Sequence, residues 1–308
     1  MNIICITEND WAGVQNGLKT AVEKHSNHTF RVINQRPHKY GYPHDLIERE
    51  EDWTEYERYL FKADLVLFGA SQYWYKPFSI PIPDDVPWAI WHGGSDYRKQ
   101  PEHYIEDIHP LMDVIYAHRD LLGLCHRAYL LHQPYDTRNY RPIERSDTPF
   151  YVGHSPSVEN RKRTEFYIEA MTRLRYDHPN LNIEPLLMMN MSAEEVLHLK
   201  EKCHMFFDQI YNPKTVLIPE GANMGYGLSL VESAAVGSVC MAGCDYPDTP
   251  ILHVNTPEDI MREVMWLYNN RDVWQRLSTE TYEWVNREHS YENIAEQFLT
   301  PLELEGIL

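Results

Sequence analysis

The stretch "GYGLSLVESAAVGSVCMAG" (residues 225–243) sets one ionisable side chain, Glu232, into a run of glycine, small and apolar residues. Gly225 and Gly227 flank Tyr226 ahead of a helix-forming run, Gly237 closes that run, and Val239 to Ala242 reads as a short buried strand. The stretch is therefore a turn, a helix and a strand. A carboxylate buried on such a helix is costly without partners, so Glu232 should either point to solvent or meet donors in a cleft. Ser229, Ser233, Ala234 and Ala235 on either side imply close packing around it. A glycine turn feeding a helix N-terminus also presents backbone N–H groups and the positive end of the helix dipole to an anion such as phosphate. Glu232 lies about one and a half turns further on, roughly 7 Å by helical rise, which reaches a ribose whose diol can donate two hydrogen bonds to a carboxylate. The local pattern leaves the structural and the ribose-binding readings both open.

Outward from this stretch, the second half of the chain repeats the same grammar. "FYVGHS" (150–155) leads to a helix expected at about 161–176, "NIEPLLMM" (182–189) to a helix at 193–202, and "MFFDQI" (205–210) to the stretch above. Ser192 with Glu195 forms a capping box, and Thr256 followed by Pro257 marks another helix start. Beyond Pro257 the chain reads as helical, with Trp266, Leu267, Trp274, Leu277 and Trp284 as apolar anchors. The first half alternates in the same way: "NIICIT" (2–7), a helix from Gly13, "FRVIN" (30–34), a helical "DWTEYERYLFKA" (52–63), then "DLVLFGA" (64–70), "WAIWHG" (88–93), "DVIYAH" (113–118) and "AYLLHQ" (128–133). Continuous apolar strands separated by helices or loops predict parallel sheets covered on both faces. The polar, proline-bearing "YDTRNYRPIERSDTP" (135–149) reads as a linker between two doubly wound α/β domains, an arrangement that places a ligand cleft between them.

Composition narrows the function. The 308 residues favour two domains, and a net charge of −18 opposes a nonspecific nucleic-acid binder, although the basic, aromatic islands at 34–42 and 127–145 survive that objection. No segment approaches the ~20 apolar residues of a membrane span, and the start "MNIICITEND" lacks the basic residues of a signal peptide, so a soluble cytoplasmic protein is expected. The 5 cysteines, an odd number spread through apolar stretches, fit reduced buried thiols. Cys240 and Cys244 have neither a second pair nor a histidine cluster to complete a zinc site, and no metal is expected.

Five segments, in order, resemble the GT-B glycosyltransferases, in particular the large retaining family of glycogen- and sucrose-synthase relatives. "ENDWAGVQNGL" (8–18) looks like the N-terminal glycine loop, and "WHGGSDYR" (91–98) like the "HGS(D/E)xR" strand end. "LHQPYDTRNYRP" (131–142) resembles the segment before the interdomain linker, and "HSPSVENRKRTEFYIEAM" (154–171) the start of the donor domain. "FFDQIYNP" followed by the opening stretch is similar to "vDQl…G(W/F)YG…lEAMAxGkPV". The resemblance implies two Rossmann-like domains facing across a cleft: an acceptor-side domain at 1–145, a donor domain at 146–285, and a helical segment at 286–308 returning to the first domain.

The activity so implied is transfer of a sugar from a nucleotide-diphosphate sugar, UDP- or GDP-type, to an acceptor hydroxyl with retention and without an obvious protein nucleophile. The nucleotide sugar is a co-substrate and no cofactor is implied. Glu232 then holds the ribose hydroxyls beside Gly225, Tyr226, Gly227, Leu228 and Ser229, with Gly13 and Met189 also on the donor side. Lys162 and Arg161, with Arg163 next, neutralise the diphosphate, and His92 and Asp96 face the sugar and acceptor. No "DxD" triplet is present to bind a metal, so the helix N-terminus and cations stand in for one. Relatives often carry a second glutamate eight positions before the first; that position is Met224 here, and Glu220 is the substitute considered. On the acceptor side, Tyr73, Trp74 and Tyr75 form an aromatic cluster able to stack a sugar or base. The acceptor is a glycan, a lipid-linked or small molecule, or a hydroxymethylated base of phage DNA. A catalytically degenerate domain that binds a nucleotide or partner remains the alternative.

Overall fold

The computed structural model describes residues 1–37, 42–47, 53–69, 82–137, 143–146, 148–157, 159–214 and 218–308. They fall into two compact units, one of Met1–Asp136, Ile218–Asn223 and His289–Leu308, the other of Thr137–Leu217 and Met224–Glu288.

In the first unit, β1 (Asn2–Thr7), α1 (Val14–His25), β2 (Thr29–Asn34), β3 (Leu46–Ile47), α2 (Trp53–Leu60), β4 (Leu65–Gly69) and β5 (Trp88–His92) follow the alternation expected from the apolar runs. Then come α3 (Ser95–Lys99), α4 (Pro101–His103), a π turn over Tyr104–Ile108, β6 (Val114–Ala117) and β7 (Tyr129–Leu130). All strands pair in parallel in the order β3-β2-β1-β4-β5-β6-β7. β4 is buried at every position, as a strand covered on both faces must be. The run expected at 128–133 contributes only the two residues of β7.

The second unit contains β8 (Phe150–His154), α5 (Glu159–Lys162), α6 (Thr164–Asp177), β9 (Ile183–Leu187), α7 (Ala193–Lys200), β10 (Met205–Phe207), α8 (Leu228–Ala235), β11 (Val239–Ala242) and β12 (Leu252–His253). Its sheet runs β12-β11-β10-β8-β9, again parallel throughout. The expected capping box of Ser192 with Glu195 closes, and the helix start expected at Thr256–Pro257 is capped by a second box, Thr256 with Asp259. Three features differ from the sequence reading. The helix expected at 161–176 is broken at Arg163, which adopts the left-handed conformation (φ 56°, ψ 44°) and separates α5 from α6. Trp266, expected to be buried in α9 (Pro257–Asn269), is 40% exposed, whereas Trp274 and Trp284 on α10 (Arg271–His289) are buried. Within the segment read as a linker, Ile143 donates its N–H to the Val236 carbonyl (3.3 Å) and Arg145 donates to the carbonyls of Val236 (2.8 Å) and Glu201 (3.1 Å). These bonds fasten it to the second unit.

The last helix, α11 (Tyr291–Leu304), belongs to the first unit. Ile294, Ala295, Phe298 and Leu302 join Leu18, Val22, Phe30 and Tyr116 in one core, and the Tyr116 hydroxyl donates to the Phe298 carbonyl (2.6 Å). All cysteines are buried and unbridged. Among the described residues no helix is long and apolar enough to cross a membrane.

Candidate functional site

The chain places its densest set of expected residues at the N-terminus of α8. Gly227 is the residue before the helix, and its N–H donates to Asp208 Oδ2 (2.7 Å). Asp208 follows β10 at the carboxyl end of the second sheet, is 1% exposed, and through Oδ1 accepts from Lys162 Nζ at 2.5 Å. A Cβ at position 227 would lie 2.8 Å from Lys162 Nζ and 3.5 Å from both Asp208 oxygens, so a side chain there would push the lysine ammonium from its place beside the helix end. The N–H groups of Leu228 and Ser229, in the first turn, precede any intrahelical acceptor. The preceding turn is fixed by Gln209, whose Nε2 donates to the Gly225 carbonyl (2.6 Å). Tyr226 packs edge-on against Trp284 (5.4 Å between centroids) and Tyr246 (6.2 Å).

Glu232 lies one turn along α8. Its side chain is 24% exposed, and its Oε2 accepts from Nζ of Lys200, whose own side chain is 0% exposed. Lys200 also donates to the Ser229 carbonyl (3.1 Å) and to Ser229 Oγ (2.8 Å). The carboxylate that the sequence set between solvent and a donor thus has both: a buried ammonium behind it and an open edge in front.

The break at Arg163 changes the setting of the three cations. Arg161 and Lys162 occupy the last turn of α5 rather than the start of a long helix, so the dipole there favours them. Lys162 turns inward to Asp208, whereas Arg161 is exposed. Arg163 bonds Glu165 (3.0 Å) and lies over the Phe166 ring (4.2 Å). Asn212 Nδ2 donates to the Asn160 carbonyl (2.8 Å), tying the short helix to the loop after β10. Beneath the cations, His154 donates from Nδ1 to the Phe207 carbonyl (2.9 Å) and accepts at Nε2 from Thr164 Oγ1 (2.9 Å); burial first and Lys162 second lower its pKa to about 4. Met189 is half-buried just beyond β9.

The first unit treats its expected residues differently. His92 ends β5 and is 0% exposed, with its ring stacked on Tyr97 (4.0 Å) and its Nε2 bonded to His109 Nε2 (2.8 Å). Burial, then His109 and His118, hold its pKa well below the usual histidine value. In this conformation the ring packs among Tyr97, Tyr104 and His109. Asp96 is half-buried on α3 and pairs with Lys99 (3.7 Å). Gly13 has φ +71° where the chain enters α1, and a Cβ there would meet the Tyr42 ring at 3.1 Å. Glu220 is exposed and lies in 218–223, a segment of the first unit, while Met224 and Glu232 belong to the second. Gly221 approaches Gly123 so closely that an added Cβ would sit 2.6 Å from its carbonyl oxygen. Tyr73, Trp74 and Tyr75 lie outside the described residues. Among the described residues no cluster of three or more His, Cys, Asp and Glu side chains is placed to hold a metal.

Sequence reasoning assigned no role to Asp208, Lys200 or Asp10, the last of which caps α1. Asp208 had a signal, since an acid directly after a buried parallel strand is where wound sheets place function. Lys200 had none.

Two parallel, helix-covered sheets of these orders are the GT-B fold of glycosyltransferases. Among solved structures, an alpha-glucosyltransferase in complex with UDP-glucose and DNA containing an abasic site is 11% identical, with TM-score 0.60 and coverage of 100% of both chains. Anabaena HepE in complex with UDP and glucose is 9% identical, with TM-score 0.62, covering 99% of this chain and 100% of that one. Sucrose-phosphate synthase from Thermosynechococcus elongatus is 11% identical, with TM-score 0.64, covering 99% of each chain. At these identities the likeness is one of fold. No protein-family model matches the sequence, and no curated protein is significantly similar to it.

Proposed function

We propose that the protein is a glycosyltransferase that moves a sugar, with retention, from a UDP-type nucleotide sugar to an acceptor hydroxyl. The observation that carries this reading is the convergence of Lys162, Asp208 and the N-terminus of α8 on Gly227, with the open edge of Glu232 one turn away. The ammonium of Lys162 has three protons and Asp208 takes one, which leaves donors for a diphosphate. The N–H groups of Leu228 and Ser229, which precede any intrahelical acceptor, add the helix dipole, Arg161 adds a solvent-side cation, and Glu232 meets the ribose. As the sugar–phosphate bond breaks, negative charge grows on the diphosphate, and these fixed donors stabilise that charge without a metal. Gly13, Met189, Gly225, Tyr226 and Arg163 line or shape the donor side in this reading, and Asp96 is the acceptor-side candidate. Structures of the same fold in complex with UDP-glucose or with UDP favour uridine as the nucleotide. The acceptor is a glycan, a small molecule or a modified base in DNA.

A panel of nucleotide sugars screened by thermal shift tests the proposal. A UDP-sugar should raise the melting temperature by mass action, and turnover of that sugar should survive excess chelator. No stabilisation by any nucleotide sugar sinks the donor assignment. Turnover lost to chelator and restored by magnesium or manganese sinks the metal-free account of the leaving group. A second reading, a binding domain that has lost catalysis, draws on Met224 and the buried His92 ring. It requires donor binding without transfer or slow hydrolysis. For a DNA acceptor, activity should fall steeply with salt, and a flat salt response points to a glycan or small molecule.

A further inference from the structure

Lys200 ends α7 with its side chain wholly out of water, and its described polar partners all lie on α8: the carbonyl and Oγ of Ser229 and the Oε2 of Glu232. The ring of Phe206 lies 5.2 Å from its ammonium on the strand side. The fold alone does not call for a lysine there. Burying an ammonium costs several kcal/mol before its pairing is counted, and apolar replacements of buried ion pairs are often neutral or stabilising. What the lysine adds is fixity. It grips both the first turn of α8 and one oxygen of Glu232, whose other oxygen has no partner among the described residues and lies on a side chain that is 24% exposed.

A mobile surface carboxylate reads hydroxyl groups poorly, because when a hydroxyl is missing it can turn to water. A carboxylate held from behind cannot turn, and a ligand that lacks the hydroxyl then leaves a fixed acceptor unpaired. We propose that Lys200 is a positioning residue that makes Glu232 a selector for ribonucleoside over 2′-deoxyribonucleoside diphosphates. The inference rests on the reading that Glu232 meets the ribose. It goes further in assigning the selectivity to a residue that touches no ligand.

The test is the ratio of affinities for UDP and 2′-deoxy-UDP, measured by calorimetry on the full chain. Wild type should prefer UDP at least about tenfold, the scale of one hydrogen bond to a charged group. Glu232→Ala should abolish the preference. Lys200→Met, which keeps the length and apolar stem of the side chain, should reduce it to within about threefold, with some loss of melting temperature because Glu232 and the Ser229 carbonyl lose their donor. A merely structural lysine would move the melting temperature and leave the ratio alone. Should Lys200→Met not fold, Lys200→Gln, shorter and uncharged, is read in the same way. A preference retained in the lysine variant but lost in Glu232→Ala overturns the role of Lys200 and leaves the donor site standing. No preference in wild type, or UDP binding indifferent to Glu232→Ala, overturns both.

Discussion

The two units each bring a helix N-terminus to a glycine-bearing turn, and each caps it with an aspartate, but the two caps are not equivalent. In the first unit Asp10 is 0% exposed and accepts from the N–H groups of Gln15 (2.7 Å) and Asn16 (3.0 Å) and from Asn16 Nδ2 (2.7 Å). No cation meets it among the described residues, and burial raises its pKa. In the second unit Asp208 takes one N–H, that of Gly227, and shares itself with Lys162. The first helix end is satisfied by its own chain. The second sets a lysine beside a helix start whose first N–H groups precede any intrahelical acceptor. Two glycine turns that look alike in sequence are therefore told apart by what their aspartates touch: among the described residues Asp10 meets only its own helix start, whereas Asp208 shares itself between a helix start and a lysine.

The largest effect tests what the units share. His109 in the first and His154 in the second both have their pKa lowered to about 4, by burial foremost in each case. Between pH 6.5 and 4 the unfolded chain binds protons that the folded chain refuses, so stability is full above about 6.5 and falls as pH drops toward 4. Each such histidine contributes a loss of about 1.4 kcal/mol per pH unit in that window. Urea unfolding at pH 7, 5.5 and 4.5 should show this decline in the transitions of both units; a flat response in either would break the parallel.

Next in size, Glu232→Ala should weaken nucleotide binding by about 1.5–3 kcal/mol while the protein stays folded. Unfolding of this variant, with no nucleotide affinity in wild type, would make Glu232 a counter-ion for Lys200 and nothing more. Lys162→Ala and Arg161→Ala should each lower turnover tenfold or more, on the order of 1.4 kcal/mol. Full turnover with reduced stability would move the phosphate site elsewhere. The smallest effect sharpens the contrast from the other side: Asp10→Ala should cost about 1 kcal/mol of stability through its lost cap, with UDP affinity unchanged. A loss of UDP affinity in that variant would mean that the first helix end also serves the ligand.

Sequence and structure agree where physics is local and periodic. "LVLFG" and "VCMA" are strands because unbroken apolar runs need burial on both faces, and Ser192 and Thr256 start helices because their hydroxyls cap them. The break at Arg163 was not legible, since a non-glycine residue in the left-handed region leaves no mark in composition. Trp266 read as an anchor because an aromatic on an amphipathic helix usually is one, yet burial depends on what covers the helix. His92 was placed on the correct strand end, but the sequence could not show that His109 and Tyr97 close over its ring. Lys200 was invisible for the opposite reason, because a lysine in the last turn of a helix reads as solvated and favoured by the dipole. Glycines 225 and 227 and Glu232 were legible as a group because one short stretch carries them. Their partners Asp208 and Lys162 come from other elements, and only the fold brings them in.

The placement of α11 bears on the order in which the protein is assembled. Ile294, Ala295, Phe298 and Leu302 fill the core beside Leu18, Val22 and Phe30, and they are synthesised after every residue of the second unit. As the chain leaves the ribosome, the unit begun first is finished last. Until then its first sheet waits with an uncovered apolar face, while the second unit already holds all of its own strands and helices.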